Sequence, residues 1–302
     1  MKPQTDIDRV VVHAPAKINL CLHVGTRRAD GYHDLESLVA FTEFGDELLI
    51  ERDGALSLTI EGPFSEGLAN AHDNLITKAA RLLATRTDRR AGARITLTKR
   101  IPLASGVGGG SADAAAALRG LVRLWNLPAS PGELHDIAVA IGSDVPVCLD
   151  SAPAWMAGRG ERVHSLPPLP DMSMVLVNPK VEVSTAAVFR ELKQRQGTGL
   201  SPPSVPFADL SSLIRYLKST TNDLEPPAKE IAPVIGEVIK EIGRLPAVSI
   251  ARMSGSGATC FGIVENAESA RQCAQILRSR HPDWWVTATP LAPGEFGDVK
   301  PG

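Results

Sequence analysis

The chain has 302 residues, more than one compact core usually holds, so two lobes are expected. It is 43% hydrophobic and 22% charged, which excludes wholesale disorder. Its 32 Lys and Arg against 34 Asp and Glu leave a net charge of −2, without the basic excess or stripe of a nucleic-acid binder.

Residues 10–24 read as strand, a polar break with Pro15, then strand, with β-branched and alternating apolar side chains. Residues 25–34, GTRRADGYHD, are rich in turn formers. Further strands are expected over 35–44, 46–52 and 56–61. A helix should begin at Asp73 or Asn74, with Asp73 a good N-cap and Leu75, Ile76, Ala79, Leu82 and Leu83 recurring at helical spacing. Residues 94–99 alternate as a half-buried strand does. A glycine-rich loop follows, then a helix over 113–127, rich in alanine and leucine and ended by Pro128. Residues 132–142 read as another short helix, with the apolar segment VPVCL beyond it. The proline-rich LPPLPD at 166–171 is the expected boundary between an N-terminal lobe, 1–165, and a C-terminal lobe, 166–302. The second half reads as a strand (172–178), a helix (184–196), a loop full of Ser and Pro (197–207) and helices near 208–218 and 228–243. Two last strand regions, 251–264 with a glycine turn and 284–291, flank a helix at 267–280.

No apolar run approaches the roughly 18 residues of a membrane helix, and the N-terminal MKPQTDIDRV lacks the apolar core of a secretory signal. Cys21, Cys148, Cys260 and Cys273 are widely spaced and form no CxxC pair. That favours buried free thiols in a reducing, cytoplasmic compartment over a zinc site. The seven histidines make no HxxxH or HExxH pattern, so no protein-held metal is expected. Arg86, Arg89 and Arg90 read as solvated surface.

The central feature is PLASGVGGGSADAAAAL, residues 102–118. Gly106, Gly108, Gly109 and Gly110 lie just before the strong helix, where glycine admits positive φ and lets a ligand approach bare N–H groups. A helix N-terminus adds unpaired donors and roughly half a positive charge, which together make an anion site suited to nucleotide phosphates. Ser111 adds a hydroxyl for a phosphate or its magnesium. On its own the segment also reads as a flexible turn capping a helix. GxxxxGK[ST] is absent, GxGxxG fails at Ser111, and the protein-kinase set VAIK, HRD and DFG is missing.

PLASGVGGGSAD resembles the second motif of the galactokinase, homoserine kinase, mevalonate kinase and phosphomevalonate kinase (GHMP) family, roughly Pro-x-x-x-Gly-Leu-Gly-Ser-Ser-Ala. APAKINLCL at 14–22 resembles the first family motif and MSGSGATCFG at 253–262 the third, so ordered motifs span nearly the whole chain. The chain departs from the broad pattern at Val107, where Leu is usual, and at Gly109 and Gly110, where Ser is common. PAKINL, DGYHDLESL at 30–38 and GSDVPVCL at 142–149 point to a member whose acceptor is a cytidine-linked methylerythritol of the non-mevalonate isoprenoid route. The resemblance implies an α/β fold of the α+β type, with two lobes around a deep cleft and a ferredoxin-like C-terminal lobe. The N-terminal lobe would bind ATP and the C-terminal lobe would lie on the substrate side. ATP would arrive with Mg2+, without a dedicated protein metal cage. The expected partners are ATP and the small cytidine-linked substrate, with no nucleic acid and no membrane, in a monomer or weak homodimer.

By the same resemblance the ATP-binding residues are Pro102, Leu103, Ala104, Ser105, Gly106, Val107, Gly108, Gly109, Gly110, Ser111 and Ala112. Asp144 would face the acceptor hydroxyl with Lys17 as its partner. A carboxylate can accept the hydroxyl proton, and an ammonium can stabilise alkoxide and phosphate oxygens. Without the resemblance, Asp144 reads as a turn or N-cap aspartate and Lys17 as a strand-edge lysine. Tyr32 and His33 stand out in a chain that is only 4% aromatic, as a ring to stack a nucleobase and an imidazole to hydrogen-bond it, or as a turn covering the core edge. Asn19, Thr185 and Phe189 are implied on the substrate side, although Phe189 can equally pack on the core face of its helix. Asn74 and Lys99 are weaker candidates for the nucleotide end. No catalytic residue is expected in the 254–262 turn, whose glycines suit close packing against the phosphate loop or substrate. The competing readings are a GHMP kinase for homoserine, mevalonate or a sugar, and a non-catalytic nucleotide sensor on the same fold.

Overall fold

Two sheets carry the chain in the computed structural model, which describes residues 7–66, 68, 74–88, 92–192, 202–203, 206–292 and 300–301. The first contains β1 (Arg9–Asn19), β2 (His23–Arg27), β3 (His33–Arg52), β4 (Leu56–Glu61), β5 (Ala93–Thr98), β6 (Ala154–Gly158), β7 (Arg162–Ser165) and β12 (Lys300–Pro301). Its main path is β12-β1-β3-β5-β4; β2 and β6 pair with the first half of β3, and β7 pairs with β6. Among the described strands of this sheet only β4 and β5 run parallel, and the helix α1 (Leu75–Arg86) makes the crossover that parallel pairing requires. The second sheet has the order β11-β8-β10-β9, all antiparallel, from β8 (Ser173–Asn178), β9 (Ile250–Met253), β10 (Cys260–Val264) and β11 (Trp285–Pro290).

The helices α2 (Gly109–Trp125), α3 (Pro131–Ile141) and the single turn α4 (Val147–Asp150) accompany the first sheet. Alanines fill the buried face of α2, and Ala112, Ala114, Ala115, Ala116 and Ala117 are all at most 1% exposed. Side chains this small let the helix lie close on β1 and β3. The second sheet is packed by α7 (Glu225–Ile231), α8 (Val234–Gly243) and α9 (Ala267–Arg280), with α5 (Thr185–Glu191) beside them. The expected α+β architecture, with a four-stranded ferredoxin-like second sheet, is what the chain builds. A further apolar cluster joins residues of both halves, among them Ile18, Leu38, Val107 and Trp155 with Phe261, Ile263 and Leu213 of α6 (Leu210–Lys218).

Several elements differ from the sequence expectation for local reasons. The break in the first strand falls at residues 20–22; Pro15 stays inside β1, at a bulge, where a missing N–H costs no ladder bond. β3 is one bent strand of 20 residues rather than two. Helix α2 starts at Gly109, with Gly108 as its cap, so the glycines themselves form its first turn. The apolar VPVCL becomes the turn α4, and the short hairpin β6–β7 was not anticipated. Pro233 divides the expected 228–243 helix into α7 and α8, because proline cannot donate to the preceding turn. Asn74 caps α1 by accepting from the Ile76 N–H. Asp73, Arg89, Arg90, residues 193–196 of the expected 184–196 helix and the first six residues lie outside the described residues.

The bulge between β1 and β3 matters for the site that follows. Pro15 pairs with Gly45, whereas Lys17 pairs with Phe41, so β3 carries the surplus residues 42–44. That segment reaches the second sheet. The Phe44 N–H donates to Thr289 Oγ1 at 3.0 Å, the Ala292 N–H donates to the Phe41 carbonyl at 2.8 Å, and Thr42 bridges Leu291. Gly45 is the tight point. A Cβ there would lie 2.3 Å from the Ala14 carbonyl oxygen and 2.7 Å from Pro15 Cα, both backbone. Gly45→Ala is therefore expected to destabilise the protein by about 1–3 kcal/mol, the usual cost of overpacking, measured as a lowered urea midpoint. An unchanged midpoint would remove Gly45 as the pivot of the bulge.

Candidate active site

A cleft of about 810 Å³ lies beside the glycine loop. Its walls include Pro102, Leu103, Ala104, Ser105, Gly106, Gly108, Gly109, Gly110 and Ser111, together with Lys17, Asn19, Asp144, Thr185 and Phe189. Val107 and Ala112 belong to the same loop, but their side chains are 1% exposed and sit in the core. Gly108 has φ 66° and no side chain with which to cap α2. The first N–H groups of a helix without a side-chain cap remain available to a ligand.

The loop is held through its carbonyls. The Lys17 N–H donates to Val107 O at 3.0 Å, and the Thr259 N–H to Ser105 O at 3.0 Å. Ser254 Oγ donates to Gly106 O and accepts from the Asn19 N–H, both at 3.1 Å. The 254–262 turn thus packs against the loop, as its glycines suggest. Gly106 has φ 74°, and a Cβ on it would lie 2.6 Å from the carbonyls of both Gly257 and Ser254.

Lys17 and Asp144 meet across 127 positions of sequence, Nζ to Oδ2 at 2.6 Å. The lysine side chain is 3% exposed and the aspartate 38%, so the carboxylate is the member that opens to the cleft. Three elements bearing these parts are tied by Arg119 of α2, which sequence reading did not single out. Its guanidinium donates to the carbonyls of Cys148 (2.7 Å) and Leu149 (3.1 Å) in α4, and to that of His13 on β1 (2.7 Å). Burial pushes this guanidinium down to about 10. Burial pushes the Cys148 thiol up to about 12, and its Sγ lies 3.2 Å from the Asp144 carbonyl.

A second ion cluster lies deeper at the nucleotide end. Lys99 Nζ is 2.5 Å from Asp46 Oδ2 and 2.7 Å from Asp113 Oδ2, and none of the three residues is more than 4% exposed. Asp46 Oδ1 accepts from the N–H groups of Arg100 and Ile101, whereas Asp113 Oδ1 is buried without a partner. Burial raises the Asp113 carboxyl to about 8; Lys99 opposes the rise and Asp46 adds to it. Burial acts against the Lys99 ammonium, but Asp113 and then Asp46 outweigh it and hold Lys99 above the usual lysine range. Asp46 stands in no recognisable motif, and Asp113 closes the quoted PLASGVGGGSAD stretch without any sequence sign of the partner it meets. Asn74, the weaker nucleotide-end candidate, lines the cleft and also caps α1.

At the other end, Asn19 Nδ2 donates to Ser37 Oγ at 2.8 Å, and Ser37 Oγ donates to Cys21 O. Asn19 Oδ1 is buried without a partner. Thr185 Oγ1 and Ser256 Oγ are 2.8 Å apart. Phe189 packs on the second core, the alternative its helix allowed, and also stacks on His33, with ring centroids 5.3 Å apart and planes at 17°. Tyr32 is 53% exposed on the β2–β3 turn, outside the cleft walls. Among the described residues, no group of three or more His, Cys, Asp or Glu side chains could hold a metal ion, and no helix is long and apolar enough to cross a membrane.

Residues 74–155 match the family described as GHMP kinases N terminal domain, and residues 206–283 match GHMP kinases C terminal. A relative from Parvibaculum lavamentivorans named 4-diphosphocytidyl-2-C-methyl-D-erythritol kinase is 47% identical over 90% of this chain and 95% of its own length. One of the same name from Rhodospirillum rubrum is 46% identical over 94% and 93%. The crystal structure of a 4-(cytidine 5'-diphospho)-2C-methyl-D-erythritol kinase superposes with TM-score 0.74 at 33% identity, covering 93% of this chain and 99% of that one. Homoserine kinase from Cytophaga hutchinsonii shares the fold, with TM-score 0.72 at 18% identity over 97% and 98%.

The Asp113 carboxyl generates a prediction with a definite sign. Its folded value, about 8, lies above the unfolded value near 4. Between these values the folded state holds a proton that the unfolded chain has released. The associated stability is present at low pH and is lost as pH rises toward about 8. Urea midpoints taken from about pH 5 to about pH 8 should fall in the wild type and fall less steeply in Asp113→Asn. Equal slopes in the two proteins would contradict the assignment.

Proposed function

The chain belongs to the GHMP kinases, and among them to the 4-diphosphocytidyl-2-C-methyl-D-erythritol kinases, and from that premise we propose that it transfers the γ-phosphate of ATP to a hydroxyl of 4-diphosphocytidyl-2-C-methyl-D-erythritol. This would place it in isoprenoid precursor synthesis by the non-mevalonate route. The observation that carries the reading is the Lys17–Asp144 pair, 2.6 Å apart, in the same cleft as the open N-terminus of α2.

The loop from Pro102 to Ala112 takes the nucleotide phosphates. Backbone N–H groups and the positive end of the α2 dipole suit their charge. Asp144 keeps Oδ1 for the acceptor, because Oδ2 receives the Lys17 ammonium. As the acceptor oxygen attacks the γ-phosphorus, its proton passes to the carboxylate. The new P–O bond forms, the bond to the β-phosphate oxygen breaks, and ADP leaves. Lys17 stabilises the charge that develops on the oxygens in flight. Tyr32, His33 and Phe189 take the cytosine, and Asn19 and Thr185 bind the polar body of the substrate. Ser111 is a hard oxygen donor in the cleft wall, and it would suit a magnesium ion that keeps phosphate and water oxygens as its other ligands. Such an ion would neutralise phosphate charge. The four cysteines, all free and buried, suit a reducing cytoplasm. The protein would act there as a monomer or weak homodimer, with the nucleotide handled by residues 1–165 and with residues 166–302 lying on the substrate side, where they add Thr185 and Phe189 to the acceptor residues of the first half.

Two measurements test the reading. ADP release should be substantial with the cytidine-linked methylerythritol and at background with homoserine, mevalonate or galactose; release with one of the latter instead would reassign the acceptor. Asp144→Asn should lower turnover by at least about 100-fold, the low end of a positioned acid–base group, with ATP affinity little changed. Near-normal turnover in that variant would end the role given to Asp144.

A further inference from the structure

The β6–β7 turn lies between the two ends of the acceptor site, and it carries a cation for which the mechanism above has no use. Arg159 occupies this turn. Its backbone N–H donates to Glu161 Oε2 at 2.6 Å, which pins the turn. Its guanidinium carbon stands 5.1 Å from the centre of the Tyr32 ring, a cation–π approach. Tyr32 is 53% exposed, so ring surface remains for a base. The next residue, Gly160, abuts the other end of the site. A Cβ on it would lie 3.3 Å from Asp144 Oδ1 and 3.1 Å from the Ser143 carbonyl. Two consecutive residues therefore touch the proposed base end and the proposed phosphoryl-acceptor end.

Three other cations nearby are engaged. Lys17 is bonded to Asp144. Arg28 bridges Asp30 and Asp34, and Arg27 Nε donates to the Gly31 carbonyl. Arg159 differs. Among the described residues its guanidinium makes no ion pair, and Nε is buried with no acceptor. A buried charged donor left unpaired is costly, and the natural remedy is an anion supplied by a ligand. In a cytidine diphosphate ester, the group between base and polyol is the diphosphate. It carries the negative oxygens that a planar guanidinium fork binds best.

We propose that Arg159 binds the diphosphate of the acceptor substrate, and that it thereby selects acceptors joined to a nucleoside through a diphosphate. This inference rests on the functional reading above. It assigns the contact to a side chain on a turn that no sequence motif marks.

The test uses the full-length enzyme, Arg159→Ala and Arg159→Lys, with CDP and cytidine as inhibitors competing with the acceptor. In Arg159→Ala the KM for the cytidine-linked substrate should rise about tenfold or more, as for a lost charge-assisted bond. Its kcat and the KM for ATP should stay within about twofold of wild type. Inhibition by CDP should weaken by the same factor as substrate binding, whereas inhibition by cytidine should not change. Arg159→Lys, which keeps the charge and loses the fork, should fall between. Equal weakening of CDP and cytidine would mean that Arg159 acts only through Tyr32, and would overturn the proposal. So would an unchanged KM, or a fall in kcat alone. The kinase reading fails separately: a wild type without turnover would sink that reading, while calorimetry of CDP and cytidine would still decide the role of Arg159.

Discussion

Three successive carbonyl oxygens, those of Ser105, Gly106 and Val107, accept hydrogen bonds from Thr259, Ser254 and Lys17. The donors come from two distant parts of the chain, β1 and the turn between β9 and β10. With the carbonyls of the loop committed to the protein on one side, its N–H groups and those of the α2 N-terminus remain for a ligand on the other. The same bonds fix Lys17, whose backbone N–H is one of the donors and whose side chain packs against Gly108. The phosphate loop, the ammonium and the joint between the two sheets are thus one construction. A shift in any of them would move the others.

Buried charge is used in two different ways around this loop. Lys99, Asp46 and Asp113 form a closed cluster that binds β3, β5 and the first turns of α2 together. With two carboxylates on one ammonium and almost no solvent, the least costly state keeps a proton on Asp113. Lys17 and Asp144 form an open pair, in which the lysine is buried and the carboxylate faces the cleft. A structural ion pair gains from closure, whereas a reacting group must meet its substrate. Arg119 lies beneath both arrangements. Its two terminal nitrogens both donate to backbone carbonyls, so α2, α4 and β1 hold a common spacing.

The acceptor end is assembled from short surface pieces of both halves. The β2–β3 turn supplies Tyr32 and His33, the start of α5 supplies Thr185 and Phe189, and the β6–β7 turn supplies Arg159. His33 on Phe189 and Arg159 on Tyr32 show that the pieces already touch one another. A ligand that lies across them draws binding energy from three elements at once. This suits an acceptor recognised far from its reacting hydroxyl, because remote binding energy can be used to orient the reacting centre.

Much of this was legible in the sequence where a residue type has few structural uses. The glycine run before an alanine-rich helix marked the anion site, and helix starts such as Asn74 and stops such as Pro128 followed local chemistry. The three motifs announced the family, and the cleft does gather Lys17, Asn19, Asp144, Thr185 and Phe189 with the loop. What tertiary structure alone decided were matters of long-range partnership. Asp46, Arg119 and Arg159 are ordinary residues in sequence, and their meaning, like the pairing of Asp113 with Lys99, comes from what lies beside them after the chain has folded. Asp46 is 53 positions from Lys99, and Arg119 is 106 from His13. Local propensity reaches only a few residues along the chain. Burial and Coulomb interaction act through space, so the loop could be read in advance, whereas the buried charges that hold it and the cation beside its acceptor could not.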